Sequence, residues 1–152
     1  MVRRISTELR PGILDDLGLV SAIEWQVNDF CERMNITADL ELPTNKCEFD
    51  SERSTAIFRI LQESLTNIAR HAKANKILIK LFQDNDYIYL KVQDNGMGIS
   101  EKKINREKSL GILGMQERAN IFRGSVDITS EIGNGTAVAV KIPIDFKTPE
   151  LK

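Results

Sequence analysis

Within the stretch "RILQESLTNIARHAKA", Glu63, Asn67 and Arg70 stand four and three residues apart. On an α-helix that spacing places them on one face. A carboxylate, a neutral amide oxygen and a guanidinium side by side suit a phosphate-bound Mg²⁺, which takes few protein oxygens beside water and phosphate. Asparagine is a middling helix former, so its place in mid-helix calls for a use of its amide oxygen. A solvated polar face is the commoner use of such residues, and the triplet alone leaves both readings open.

Three glycine clusters follow it in order. "DNGMGI", Asp94 to Ile99, comes directly after an apolar run. Gly96 and Gly98 permit positive φ and let backbone approach a ring or phosphate with no Cβ between. Asp94, at the strand's end, has a carboxylate that can accept from an exocyclic amine. In "LGILGMQERA", Gly111 and Gly114 are expected to precede a helix, whose N-terminal N–H groups and dipole favour phosphate. "GNGTAV" has Gly133 and Gly135 ahead of Thr136 in a hairpin turn that uses glycine in any case. Each cluster alone reads as an ordinary turn; four pieces in this order carry more weight than any one of them.

The elements that must position these residues follow from periodicity. A helix is predicted from about Leu14 to Met34, with Leu14, Leu17, Ala22, Trp25 and Phe30 at roughly helical spacing. "ITADLEL" alternates and reads as a strand ended by Pro43. Ser51 to about His71 is the longest helical segment, capped by Asp50 or Ser51, with Ile57, Ile60, Leu61, Ser64, Leu65, Ile68 and Ala72 on one side. "KILIKLFQD" and "YIYLKVQD" form a hairpin around Asp84-Asn85-Asp86. A polar loop from Ser100 to Ser109 precedes a helix from about Gly114 to Phe122, which Gly124 caps. "SVDITSE" and "TAVAVKIPI" complete the order as a second hairpin. The expected class is α+β, a two-layer α/β sandwich with helices on one face of a mixed, mostly antiparallel sheet.

At 152 residues the chain suits one domain with a real core. A formal net charge of −1 gives no basic field to draw in nucleic acid or an anionic membrane, so no direct nucleic-acid contact is expected. No apolar run approaches the ~20 residues that cross a bilayer, and "MVRRISTELRP" lacks the apolar core of a signal peptide. Cys31 and Cys47 have no metal or redox spacing, which suits a reducing, cytoplasmic setting.

The same stretches resemble, in order, the N box and three glycine boxes of the ATP-binding domain of sensor histidine kinases, in the superfamily shared with Hsp90, DNA gyrase and MutL (the Bergerat fold). "ELRPGILDDLGLVSAIEWQ" resembles the junction after the dimerisation domain in kinases of the nitrate-sensor and desaturase-sensor type. The resemblance spans roughly residues 8 to 144. It implies that Asn67 binds Mg²⁺, that Glu63 polarises the nucleophile or orients metal-bound water, and that Arg70 contacts phosphate. It implies that Asp94 bonds the adenine amine, with Gly96, Gly98 and Ile99 around the base. Gly111, Ile112, Leu113, Gly114 and Met115 would close over the phosphates, and Thr136 would join water-mediated adenine contacts. Lys102, Lys103, Arg106 and Lys108 of the short lid either neutralise triphosphate or are simply solvated.

His71, the only histidine, lies in the N box, where the resemblance gives it a supporting role at the nucleotide site rather than that of phosphate acceptor. The acceptor is expected upstream of Met1, on a homodimerising domain whose last turns include Val2 to Arg10. Residues 1–11 are thus read as helix end and linker, 12–146 as the catalytic ATP-binding domain and 147–152 as a tail. A response regulator of the DNA-binding class is the implied partner, and any membrane anchor would belong to other segments of the protein. Alternatives on the same fold are a conformational ATPase, for which no second closing domain is evident, an anti-sigma-factor serine kinase, and a non-catalytic nucleotide-binding module.

Overall fold

Period-two alternation along the strands turns one face of a sheet to the core and leaves the other to solvent. The structure, a computed structural model, describes residues 12–43, 50–98 and 109–144. These form α1 (Gly12–Met34), β1 (Thr37–Glu41), α2 (Ser51–Asn67), a π-helical turn (Ile68–Ala72), β2 (Lys76–Gln83) and β3 (Tyr87–Asp94). They continue through α3 (Ser109–Asn120), β4 (Ser125–Glu131) and β5 (Gly135–Pro143). The strands make one sheet in the order β1-β2-β3-β5-β4. Only β1 and β2 run parallel, with α2 as the crossover that parallel neighbours require. Ile77, Ile79 and Leu81, Ile88, Leu90 and Val92, and Val138, Val140 and Ile142 join the buried helix residues in one core. The expected sandwich is therefore the observed one.

The long helix begins where its cap was expected. Asp50 accepts a hydrogen bond from the Arg53 N–H at 2.8 Å, which satisfies one orphan donor of the first turn. Its apolar stripe buries Ile57, Ile60, Leu61, Ser64 and Leu65, with Ile68 following in the π turn. The α-helix stops at Asn67 rather than His71, because the next five residues widen into the π turn and Lys73 then takes a left-handed conformation (φ 52°). Helical spacing thus holds for Glu63 and Asn67 but not as far as Arg70.

Two further expectations change, and the cap at Gly124 holds in a refined form. α1 is broken at Gly18 (φ 88°, ψ 174°), which only a glycine accommodates easily. Trp25 is 51% exposed because it stands roughly 200° around the helix from Ile23, off the stripe of Leu19, Ala22, Ile23, Val27 and Phe30. At the end of α3 the left-handed residue is Arg123 (φ 63°), and Gly124 closes the helix by donating to the Ala119 carbonyl at 2.8 Å. Residues 2–10, the 99–108 stretch and the tail from 145 lie outside the described residues.

Arg53 fastens three elements together. It is 8% exposed, donates from Nε to the Pro143 carbonyl and from Nη1 to Asp50, both at 2.7 Å, and lies 4.9 Å from the Phe122 ring centroid. Asp50→Ala removes both the cap and the partner of a buried guanidinium, and should cost about 2 kcal/mol in urea unfolding. Asp84 supplies a pH-dependent contribution at the β2–β3 turn. Its Oδ1 accepts from the Asp86 and Tyr87 N–H groups at 2.9 and 2.8 Å, which hold its carboxyl below the usual carboxylate range. That contribution is full above the unfolded pKa and is lost as pH falls through the lowered folded one. Asp84→Asn should therefore lose less stability than the wild type on acidification below about pH 4, measured by the urea midpoint.

Candidate functional site

At one end of the sheet the strand register assembles a polar row on the helix-facing side. β3 and β5 pair through Val92 with Val138 and Gln93 with Ala137, so Asp94 and Thr136 stand side by side just beyond. On the far side of Thr136 lies its partner Ser130, and the two hydroxyls are 2.8 Å apart. Ile77 of β2 pairs with Asp94 from the other side and gives the row an apolar flank. Asp94 is 5% exposed, and its Oδ1 accepts from the Gly96 N–H at 2.8 Å. Among the described residues it forms no ion pair, although buried charges are ordinarily paired.

The loop after β3 lies directly against the β4–β5 turn. Gly98 has φ 73°, and a Cβ there would collide with the Glu131 carbonyl oxygen; one on Gly135 would collide with the Asp94 carbonyl oxygen. The Gly133 N–H donates to the Met97 carbonyl at 2.6 Å. Two glycine clusters distant in sequence are thus one backbone-to-backbone contact. Gly96 is buried within the same loop.

The helical half of the candidate site is formed by the end of α2, the π turn and the first turn of α3. Glu63 and Asn67 are half-buried near the end of α2, and Arg70 is exposed in the π turn. The first turn of α3 packs against Glu63 so closely that a Cβ on Gly111 would lie 2.5 Å from its Oε2. A cavity of about 250 Å³ between α2 and α3 is lined by Glu63, Arg59, Gln62, Thr66, Arg118 and the first turns of α3. Gln62 links this wall to α1, accepting from Arg59 at 3.2 Å and donating to Gln26 at 3.3 Å.

α3 starts at Ser109, not after Gly114. Gly111 keeps a first-turn N–H without an intrahelical partner, whereas Gly114 lies within the hydrogen-bond ladder. Ile112 is half-buried and Leu113 exposed; Met115 is 1% exposed, lies beside the Ser64 hydroxyl and lines the α2–α3 cavity. The His71 side chain, Ile99, and Lys102, Lys103, Arg106 and Lys108 lie outside the described residues. Sequence reading missed Ser130, Arg59, Arg118 and the Asn75–Asn95 pair. Their only signal was polarity in places where polarity is common. Among the described residues no three His, Cys, Asp or Glu side chains cluster to hold a metal, and no helix is long and apolar enough to cross a membrane.

Residues 52–145 match the family described as histidine kinase-, DNA gyrase B-, and HSP90-like ATPase. The chain is 37% identical over 150 residues to the sensor histidine kinase MctS of Rhizobium johnstonii, covering 97% of this chain and 32% of that protein. It is 34% identical over 143 residues to the oxygen sensor histidine kinase NreB of Staphylococcus carnosus, covering 94% and 41%. The chain therefore spans 32% and 41% of these relatives' length. Among solved structures, the histidine kinase domain of the Erythrobacter litoralis EL346 blue-light activated histidine kinase superposes with a TM-score of 0.71 at 19% identity, over 83% of this chain and 61% of that one. The Acinetobacter baumannii histidine kinase AdeS gives 0.66 at 16% identity, over 88% and 73%.

Gly135→Ala tests the close approach. It drives a Cβ into backbone that cannot move independently and should cost about 1–3 kcal/mol of stability, measured by urea unfolding.

Proposed function

The chain belongs to the histidine kinase-, DNA gyrase B-, and HSP90-like ATPase family, and we propose that it binds Mg²⁺–ATP and directs the γ-phosphoryl group to a histidine on a dimerisation domain. A response-regulator aspartate, on a regulator of DNA-binding class, then receives the phosphoryl group. The observation that carries this reading is Asp94, a buried carboxylate without an ion-pair partner among the described residues, beside the Thr136 and Ser130 hydroxyls. An adenine amino group supplies such a carboxylate with a second donor beside the Gly96 N–H, and the hydroxyls suit ring nitrogens or the waters that bridge to them. The likeness to two sensor histidine kinases over nearly the whole chain favours histidine over other acceptors.

On this reading Asn67 offers its amide oxygen to the ion, and Arg70 and the first-turn N–H of Gly111 take phosphate oxygens. Bound magnesium would neutralise phosphate charge during transfer. Glu63 orients the attacking imidazole nitrogen or accepts its proton. The new bond forms between that nitrogen and the γ-phosphorus; the bond to the β,γ-bridging oxygen breaks and ADP leaves. Catalysis rests on positioning and charge neutralisation, as is general for phosphoryl transfer. The domain works in the cytoplasm, within a homodimer held by the dimerisation domain.

Asp94→Asn should weaken ATP by about 1.5–3 kcal/mol, the value of a charge-assisted hydrogen bond, in calorimetric titration. Asn67→Ala should abolish Mg²⁺-dependent binding or transfer to an added dimerisation domain, followed with labelled ATP. Undiminished transfer in that variant refutes the site. Steady phosphate release without transfer by the wild type points instead to a conformational ATPase.

A further inference from the structure

Asn95 sits between the carboxylate read as the base contact and the glycine that holds it, yet its own side chain turns to a different strand. Its Oδ1 accepts from the Asn75 and Lys76 N–H groups at 3.0 and 3.1 Å, and its Nδ2 donates to the Asn75 Oδ1 at 2.8 Å. Its backbone N–H donates to the Lys76 carbonyl at 3.2 Å. Asn75 is itself a junction, since its carbonyl accepts from Thr37 of β1 at 3.0 Å. It also stands two residues after Lys73, which ends the π turn that follows Asn67.

We propose that Asn95 is a positioning residue for base recognition: by tying the Asp94–Gly96 turn to the start of β2, it fixes the direction of the Asp94 carboxylate and so sets the preference for adenine over guanine. This rests on the reading of Asp94 as the adenine contact. The chemistry of the side chain is specific. Two bonds accepted on an oxygen and one donated from a nitrogen on the same planar group are the pattern of a primary amide. Aspartate keeps the acceptor bonds but sets an oxygen against the Asn75 Oδ1, and alanine keeps neither. The hydrogen bond between the Gly96 N–H and the Asp94 Oδ1 closes across Asn95, so rotation of either Asn95 peptide moves the donor off the carboxylate. The same bonds join the base end of the site to the segment leading from Asn67, so loosening Asn95 frees one end relative to the other.

The test is ATP and GTP affinity, by competition against a fluorescent nucleotide, for the wild type, Asn95→Ala, Asn95→Asp, Asp94→Asn and the double variant Asp94→Asn/Asn95→Ala. The ratio of the two affinities is insensitive to lost stability, because both nucleotides meet the same folded fraction. Asn95→Ala should lower the ATP-over-GTP ratio about tenfold, the equivalent of one net hydrogen bond, and Asn95→Asp should recover part of it. In the Asp94→Asn background, Asn95→Ala should change the ratio no further, since a residue acting through another is not additive with it. An unchanged ratio in Asn95→Ala, or additive losses in the double variant, overturns the proposal while leaving the adenine contact intact. A ratio untouched by Asp94→Asn itself overturns the adenine assignment and the proposal with it.

Discussion

A carboxylate taken out of water at the end of a central strand is the constraint around which one end of this molecule is built. Asp94 is 5% exposed, and leaving such a group unsatisfied is costly. Its environment depends on register. Because side chains alternate, a one-residue slip of β3 would turn Asp94 to the solvent face and bring Gln93 inward. The register is held on both sides, by β2 through Ile77 and by β5 through Ala137 opposite Gln93. The carboxylate is therefore a property of the whole sheet rather than of its loop. The glycines follow from the same constraint, since the β4–β5 turn approaches Asp94 so closely that a Cβ at Gly135 has no room.

Much of this was legible in the chain. Two hairpins, the cap at Asp50 and the stripe from Ile57 to Leu65 all follow from local patterns that the tertiary structure agrees with. The family resemblance named the candidate residues. What was not legible was their contact partners. "DNGMG" and "GNG" read as two separate turns because nothing local says that their backbones touch. Trp25 fitted a loose helical count, but a residue about two positions off the stripe lies nearly opposite it. The start of α3 was misplaced because glycine argues against helix interior by propensity, and packing against Glu63 overrides that penalty. Ser130 and Asn75 carried no signal, since a polar residue gains meaning only from the atom it meets.

The π turn after Asn67 reconciles demands that a straight helix would not meet. Ile68 is 6% exposed in the core while Arg70 is exposed, and within a few residues the chain must reverse through Lys73 into β2. Widening the turn there leaves Glu63 and Asn67 on regular α-helix, one turn apart, with their spacing intact. The residue pair proposed for metal and nucleophile is thus kept on the rigid side of the irregularity, and the basic residue falls on the other.

The two ends of α2 divide the work. At its start Arg53, paired with Asp50, binds the helix to the last residue of β5 and to the ring of Phe122 through part-buried contacts. Fourteen residues on from Arg53, about 20 Å along the axis, Asn67 stands at the edge of the π turn, whose chain leads on to the solvent-exposed Asn75–Asn95 amide bonds. Such a region opens locally at little cost. A nucleotide site needs that freedom to admit its ligand, yet the proposed phosphoryl transfer needs Glu63 and Asn67 held in place. A helix anchored firmly at the far end satisfies both requirements. It carries its two side chains into the looser region on a rod whose position is set elsewhere.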